Sequence, residues 1–185
     1  MKVITAPEEY IKEDGDICVF LAGGITNCPE WQKDIIKELE KHDRCKDSDK
    51  TLVLFNPRRD DFSNMTEKDI DEQIEWEFNM LEKMDIFSMY FCKDQLQPIC
   101  LYELGRYIPR MQQRFPEDWA SRIAISIEEG YPRRKDVEVQ AKLAFCFDDI
   151  VLFKHKFIND VLNQTTLSSH ALKIHECVMH RIKFS

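Results

Sequence analysis

Two kinds of segment alternate along this chain. Short, mostly apolar runs at Asp16–Ala22, Thr51–Phe55, Asp85–Phe91, Ser121–Ile127 and Asp149–Phe153 have the length of strands and the continuous hydrophobicity of strands covered on both faces. Between them, apolar residues recur at three- and four-residue steps. Pro29 opens a helix carrying Trp31, Ile35 and Leu39. Thr66 and Asp69 have the spacing of a capping box, followed by a stripe of Ile70, Ile74, Phe78 and Leu81. Pro98 suits the first turn of a helix after the third run, and Asp136 precedes a helix reaching about Phe145. A last helix carries Leu167, Ala171, Ile174, Val178 and Ile182. Five strands separated by helices predict a three-layer, flavodoxin-like α/β fold. Its sheet is parallel, five-stranded and of order 2-1-3-4-5, with helices on both faces. With no internal repeat and no linker rich in Gly, Pro or Ser, residues 1–185 read as one domain.

Composition narrows the partners. The chain has 185 residues, 43% of them hydrophobic, with 26 Lys and Arg against 34 Asp and Glu, a formal charge of −8. Nucleic-acid polymers and anionic membranes repel such a charge. No run approaches the roughly 20 apolar residues of a membrane helix, and the first residues are too polar for a signal peptide. Seven cysteines, none in a Cys-x-x-Cys pair and several (Cys18, Cys100, Cys146) in apolar runs, read as free thiols of a reducing, cytoplasmic compartment. His170, His175 and His180 recur every five residues, which scatters them around a helix; they read as a solvated face, and no metal site is expected.

In a sheet of this kind, ligands bind beyond the strand C-terminal ends, so the loops after Ala22, Phe55, Phe91 and Ile127 are where chemistry belongs. The first holds Ala22, Gly23 and Gly24, which either let a ligand approach the backbone or simply make a tight turn; it is neither a dinucleotide fingerprint nor a Walker loop. Asn56-Pro57-Arg58-Arg59 and Tyr131-Pro132-Arg133-Arg134 bring Arg pairs to two loop ends, for an anionic or polar ligand or as clamps on neighbouring acids. The third contributes Glu103, a carboxylate amid the apolar helical stretch Pro98–Gly105, with Gly105 leaving room beside it. A buried carboxylate needs a reason to be there, whereas an exposed one, or one paired with Arg106, does not. Asp85 opens the strand that leads to this helix. Two carboxylates in one crevice suit glycosyl chemistry: one attacks an anomeric carbon and the other assists the leaving group. No cofactor is needed. Glu77 is a lesser candidate, on the flank of the Ile70–Leu81 stripe, where a solvated acid is the commoner arrangement. Trp76 reads as packing.

Taken together, Val19-Phe-Leu-Ala-Gly-Gly-Ile25, Asn56-Pro-Arg-Arg59, Gln73-Ile-Glu-Trp-Glu77, Met84-Asp85-Ile86, Pro98-Ile-Cys-Leu-Tyr-Glu-Leu-Gly105 and Tyr131-Pro-Arg-Arg-Lys-Asp-Val137 with Gln140 resemble the nucleoside 2-deoxyribosyltransferase-like proteins, in order and spacing, from about Ile17 to Phe153. The resemblance implies a double displacement, with transfer of deoxyribose from a 2′-deoxynucleoside to another base or to water. It places the nucleophile at Glu103, a base-contacting acid at Asp85 and the ligand turn at Gly23 and Gly24. Near Asp136 it places a polar group for the sugar 5′ end, often across a subunit boundary, hence a homodimer or larger assembly. Two positions depart from the family pattern: Phe20 stands where a Tyr often contacts the nucleophile, and Gln97 where many members have Asp. Gln97 is expected to offer its amide to the base. The alternatives are a nucleoside 5′-monophosphate N-glycohydrolase, with Arg58, Arg59 or Arg133 on the phosphate, and an inactive nucleotide-binding module.

Overall fold

The computed structural model describes residues 1–41, 48–61, 64–146 and 166–184. In chain order it places β1 (Lys2–Thr5), β2 (Asp16–Gly23), α1 (Trp31–Lys41), β3 (Thr51–Asn56), α2 (Glu67–Lys83), β4 (Ile86–Phe91) and α3 (Pro98–Arg114). A short 3-10 turn (Trp119–Arg122), β5 (Ile123–Ile127), α4 (Arg134–Cys146) and α5 (Leu167–Phe184) follow. Among the described residues the sheet is five-stranded and parallel, in the order β1-β3-β2-β4-β5. One face packs on residues of α2, α3 and α4, the other on α1 and α5, which makes three layers.

Strands β3, β2, β4 and β5 are neighbours in the expected sequence, and the 2-1-3-4-5 order is corrected at one edge, where β1 adds beside β3. Lys2-Val-Ile-Thr5 pairs with β3 from Lys2 opposite Val53 to Thr5 opposite Asn56 and becomes an edge strand. Four residues with polar ends carry too little apolar pattern to announce a strand; the neighbouring backbone of β3 supplies the partners. The expected strand Asp149–Phe153 lies outside the described residues.

The phase of α2 also departs from expectation. The capping box is present, with the Thr66 hydroxyl and the Asp69 carboxylate each accepting from the other's backbone N–H. Yet the buried residues are Gln73, Trp76, Met80 and Leu81, while Ile70, Ile74 and Phe78 are 46%, 59% and 41% exposed. Trp76 decides the rotation: it packs near Phe20 and Phe55 and donates its indole N–H to the Glu8 carbonyl at 2.6 Å. A large aromatic ring that also finds an acceptor outweighs three aliphatic side chains.

On the opposite face, α5 buries Ala171, Ile174 and Val178 as expected. His170 is not on a solvated face. It is fully buried, its two ring nitrogens held by the Ser88 hydroxyl at 2.9 Å and the Ser126 hydroxyl at 2.8 Å, and burial lowers its pKa to about 3. His175 is buried too. Cys18, Cys28, Cys92, Cys100 and Cys177 are buried free thiols; the Cys146 side chain lies outside the described set. Among the described residues, no helix is long and apolar enough to cross a membrane.

Candidate active site

The C-terminal ends of β2 and β3, and the start of α3 beyond β4, open on a cavity of about 550 Å³. Its floor comes from Phe20, Ala22, Gly23 and Gly24; Pro57 closes one side. The walls are Gln73 and Glu77 of α2 and Gln97, Pro98, Cys100 and Glu103 around the start of α3.

The floor is shaped by close packing. Gly23 has φ 151°, and a side chain there would place its Cβ 2.4 Å from the Tyr90 carbonyl oxygen and 2.5 Å from Cζ2 of Trp31. Only glycine lets β2 exit at this point. Trp31 in turn donates its indole N–H to the Gly24 carbonyl at 2.9 Å, and the Gly24 N–H donates to Gln97 Oε1 at 3.1 Å. Gln97 Nε2 donates to the Cys92 carbonyl at 2.6 Å, so one buried amide ties the end of β2 to the end of β4 just before α3. The expectation that this amide reads a base is therefore corrected: both of its ends are engaged by backbone. Gln97 also takes the left-handed conformation, φ 52° and ψ 59°, from which Pro98 starts the helix.

Helix α3 buries Cys100, Leu104, Tyr107, Ile108 and Met111. Glu103 sits at the border of that stripe and faces the cavity. Among the described residues it forms no hydrogen bond and no ion pair, so the alternative of a clamp with Arg106 does not hold. Burial, with the negative charge of Glu77 added, raises its pKa to about 8, against a smaller opposing effect of Arg106. Glu77 comes from α2, which the phase set by Trp76 turns toward the same space. Burial raises its pKa as well, while Gln73 opposes this by donating to Glu77 Oε1 at 2.8 Å. Gln73 is anchored by a second bond to the Pro57 carbonyl at 2.7 Å. Glu77 and Glu103 also line an adjoining outer groove with Phe78, Tyr102 and Arg106.

Several expected residues lie elsewhere. Asp85 precedes β4, at the N-terminal end of the sheet, opposite the cavity. It forms an ion pair with Lys12 at 2.6 Å and accepts the Cys18 N–H at 2.9 Å. With both partners at the far end of the strand it cannot meet a base beside Glu103, and the second carboxylate of the cavity is Glu77. Asn56 closes its own loop, accepting the Arg58 N–H at 3.1 Å. Arg58 is a clamp: its guanidinium donates to the carbonyls of Ile25 at 3.2 Å, Cys28 at 2.8 Å and Pro29. Arg59 pairs with Asp61 and Glu72, and Arg133 with Asp136 on the outside of α4. None of these arginines lines the cavity. Nor does Gly105 make room for a neighbour, since a Cβ there would meet nothing within 4 Å. Arg58→Ala is expected to cost about 1–3 kcal/mol of stability, read by urea denaturation, because three loop carbonyls lose a charged donor.

A pair of half-buried carboxylates thus stands above a glycine floor at the C-terminal ends of a parallel sheet. The profile of a family described as "Nucleoside 2-deoxyribosyltransferase like" matches residues 16–115, which is 115 − 15 = 100 of the 185 residues. The chain belongs to this family. The match runs from β2 to the end of α3 and so includes Gly23, Gly24, Glu77, Gln97 and Glu103, but not Arg133 or Asp136. No curated protein matches the chain.

Glu77 was within reach of sequence reasoning. It lies four residues after Gln73, and the clue that it faces inward is Trp76: a helix turned to bury that ring brings its neighbours toward the sheet as well.

Proposed function

We propose that this protein cleaves the N-glycosidic bond of a 2′-deoxynucleoside through an ester on Glu103 and passes the sugar to a second nucleobase. The observation that carries this reading is the pairing of Glu103 and Glu77 in one cavity, where burial raises the pKa of each. Burial favours the protonated form of each, so this cavity can retain a carboxyl proton at a pH where solvated acids have lost theirs. The productive arrangement has Glu103 ionised, next to the electron-poor C1′, and Glu77 protonated, next to the departing base.

In the first step a Glu103 oxygen bonds to C1′ as the C1′–N bond breaks; the electron pair leaves with the base, whose ring nitrogen takes the Glu77 proton. In the second, a nitrogen of another base attacks C1′, gives its proton to Glu77 and releases Glu103. Two inversions yield net retention. Phe20 offers no hydroxyl to the nucleophile, so orientation of Glu103 rests on the packing of α3 alone.

A neutral nucleoside fits better than a nucleotide, because the cavity lining includes two carboxylates and no Lys or Arg. The arginines considered for a 5′-phosphate are engaged elsewhere. Mass spectrometry of the protein mixed with a deoxynucleoside is expected to show a deoxyribosyl adduct on the peptide containing Glu103. Chromatography is expected to show base exchange when a second base is added. Release that requires a 5′-phosphate and ignores the acceptor base supports the glycohydrolase instead. Tight binding of an intact nucleotide with no turnover supports a binding module.

A further inference from the structure

Gln73 lines the cavity from α2, one turn before Glu77, and is 4% exposed. Both hydrogens of its amide are committed: Nε2 donates to the Pro57 carbonyl at 2.7 Å and to Glu77 Oε1 at 2.8 Å. The other end of the amide, Oε1, is buried and has no donor among the described residues. The Pro57 carbonyl accepts and cannot donate, so it fixes which end of the amide faces it. A buried acceptor without a donor is a cost to the fold, and an amide placed only to fill space would be packed with both ends satisfied. This one gives up its oxygen to keep its nitrogen on Pro57 and Glu77.

What the N–H toward Glu77 does follows from where charge goes in the reaction proposed above, on which this inference rests. Before the first step the negative charge stands on Glu103. The ester is neutral and the departing base takes the Glu77 proton, so the charge then stands on Glu77, and the second step returns it to Glu103. The cavity lining includes no Lys or Arg, and Gln73 is the sole donor to the Glu77 carboxyl among the described residues. Its hydrogen bond is neutral before the first step and charge-assisted after it, so it strengthens as the C1′–N bond breaks. Because Oε1 accepts from Gln73, the proton for the base sits on Oε2.

We infer that Gln73 is the positioning residue of the proton donor: it holds Glu77 with Oε2 free and takes up the charge handed over from Glu103. Pro57, in turn, holds Gln73 from the loop after β3.

Gln73→Met keeps the length of the side chain and removes the donor; Gln73→Leu stands in if circular dichroism shows that it fails to fold. In a Glu103→Gln background Glu77 titrates without its coupled partner, and carboxyl-carbon NMR follows it whether or not any base is released. Removing Gln73 is expected to raise the Glu77 midpoint by about one pH unit. The other charged groups sharing the cavity and groove with Glu77, Glu75 and Arg106, are the same in both proteins. With Glu103 intact, Gln73→Met should lower kcat for base release by about 10- to 100-fold, leave KM within a few-fold and move the falling limb of the rate profile to higher pH. Added to Glu77→Gln it should cost nothing further, because Gln73 acts through Glu77, whereas a merely structural amide slows both backgrounds alike. An unmoved Glu77 midpoint, or equal losses in the two backgrounds, overturns this role and leaves the reaction standing. A wild type that releases no base overturns the reaction itself, and the role with it.

Discussion

Glu103→Gln is expected to lower base release by on the order of 10⁴-fold, with nucleoside binding changed only a few-fold. The amide keeps the shape of the side chain but cannot form the ester, so the loss falls on kcat rather than KM. The same residue sets the pH dependence. With its pKa at about 8, ionisation of Glu103 should raise the wild-type rate as pH climbs from 6 toward that value, and the rate should fall again where Glu77 loses the proton it must give the base, a bell-shaped profile. Glu77→Gln removes the like charge that helps raise the Glu103 pKa and should move the midpoint of the rising limb down.

Stability runs the other way. Between the ordinary carboxylate range and about pH 8, the unfolded chain has released the Glu103 proton while the folded chain still holds it. The folded state therefore binds more protons, and wild-type stability falls as pH rises across that window. Glutamine does not titrate. The thermal midpoint of Glu103→Gln should accordingly match the wild type near pH 4 and exceed it increasingly up to pH 8. On the proposed mechanism, this cost to the fold is what keeps a carboxylate poised beside the sugar. A variant no more stable at pH 8 than at pH 4, relative to wild type, would mean that Glu103 is solvated.

Gly23→Ala is expected to destabilise the protein by about 3 kcal/mol or more, or to prevent folding. The added Cβ meets the Tyr90 backbone and the Trp31 ring at 2.4 and 2.5 Å, at a φ of 151° that L side chains rarely adopt. Neither neighbour can yield easily. Tyr90 is paired opposite Gly23 in a central strand, and Trp31 is 1% exposed. Relief by moving Trp31 also breaks its bond to the Gly24 carbonyl, so the floor of the cavity shifts with the core. Gly105→Ala is the control. It lies inside α3 with open space around it, and should gain about 0.5–1 kcal/mol from helix propensity. Urea denaturation of the two variants beside wild type reads both signs at once.

The line between the readable and the unreadable runs through particular residues. Four of the five apolar runs identified as strands correspond to β2, β3, β4 and β5, because a strand covered on both faces has no polar side to disguise it. Glu103 stood out because its apolar neighbours made a carboxylate incongruous. Asp85 reads from the sequence as a crevice acid because it adjoins a strand, but sequence distance to a strand does not say which end of the strand a residue occupies. Asp85 is beside β4 but at its start, and Lys12, 73 positions away, is the partner that claims it. Arg58 likewise is bonded to carbonyls of the β2–α1 loop about 30 residues earlier.

Local pattern alone determined that this chain builds a parallel α/β sheet and where that sheet opens, and it made Glu103 a candidate for the opening. Those features follow from side-chain hydrophobicity and backbone period, which act over a few residues. The fold in three dimensions decided the rotation of α2, the company Glu103 keeps, the fate of each arginine and the apolar face left outside. Each of these depends on which of several suitable partners lies within reach of a bulky ring or a guanidinium, and only packed neighbours fix that choice.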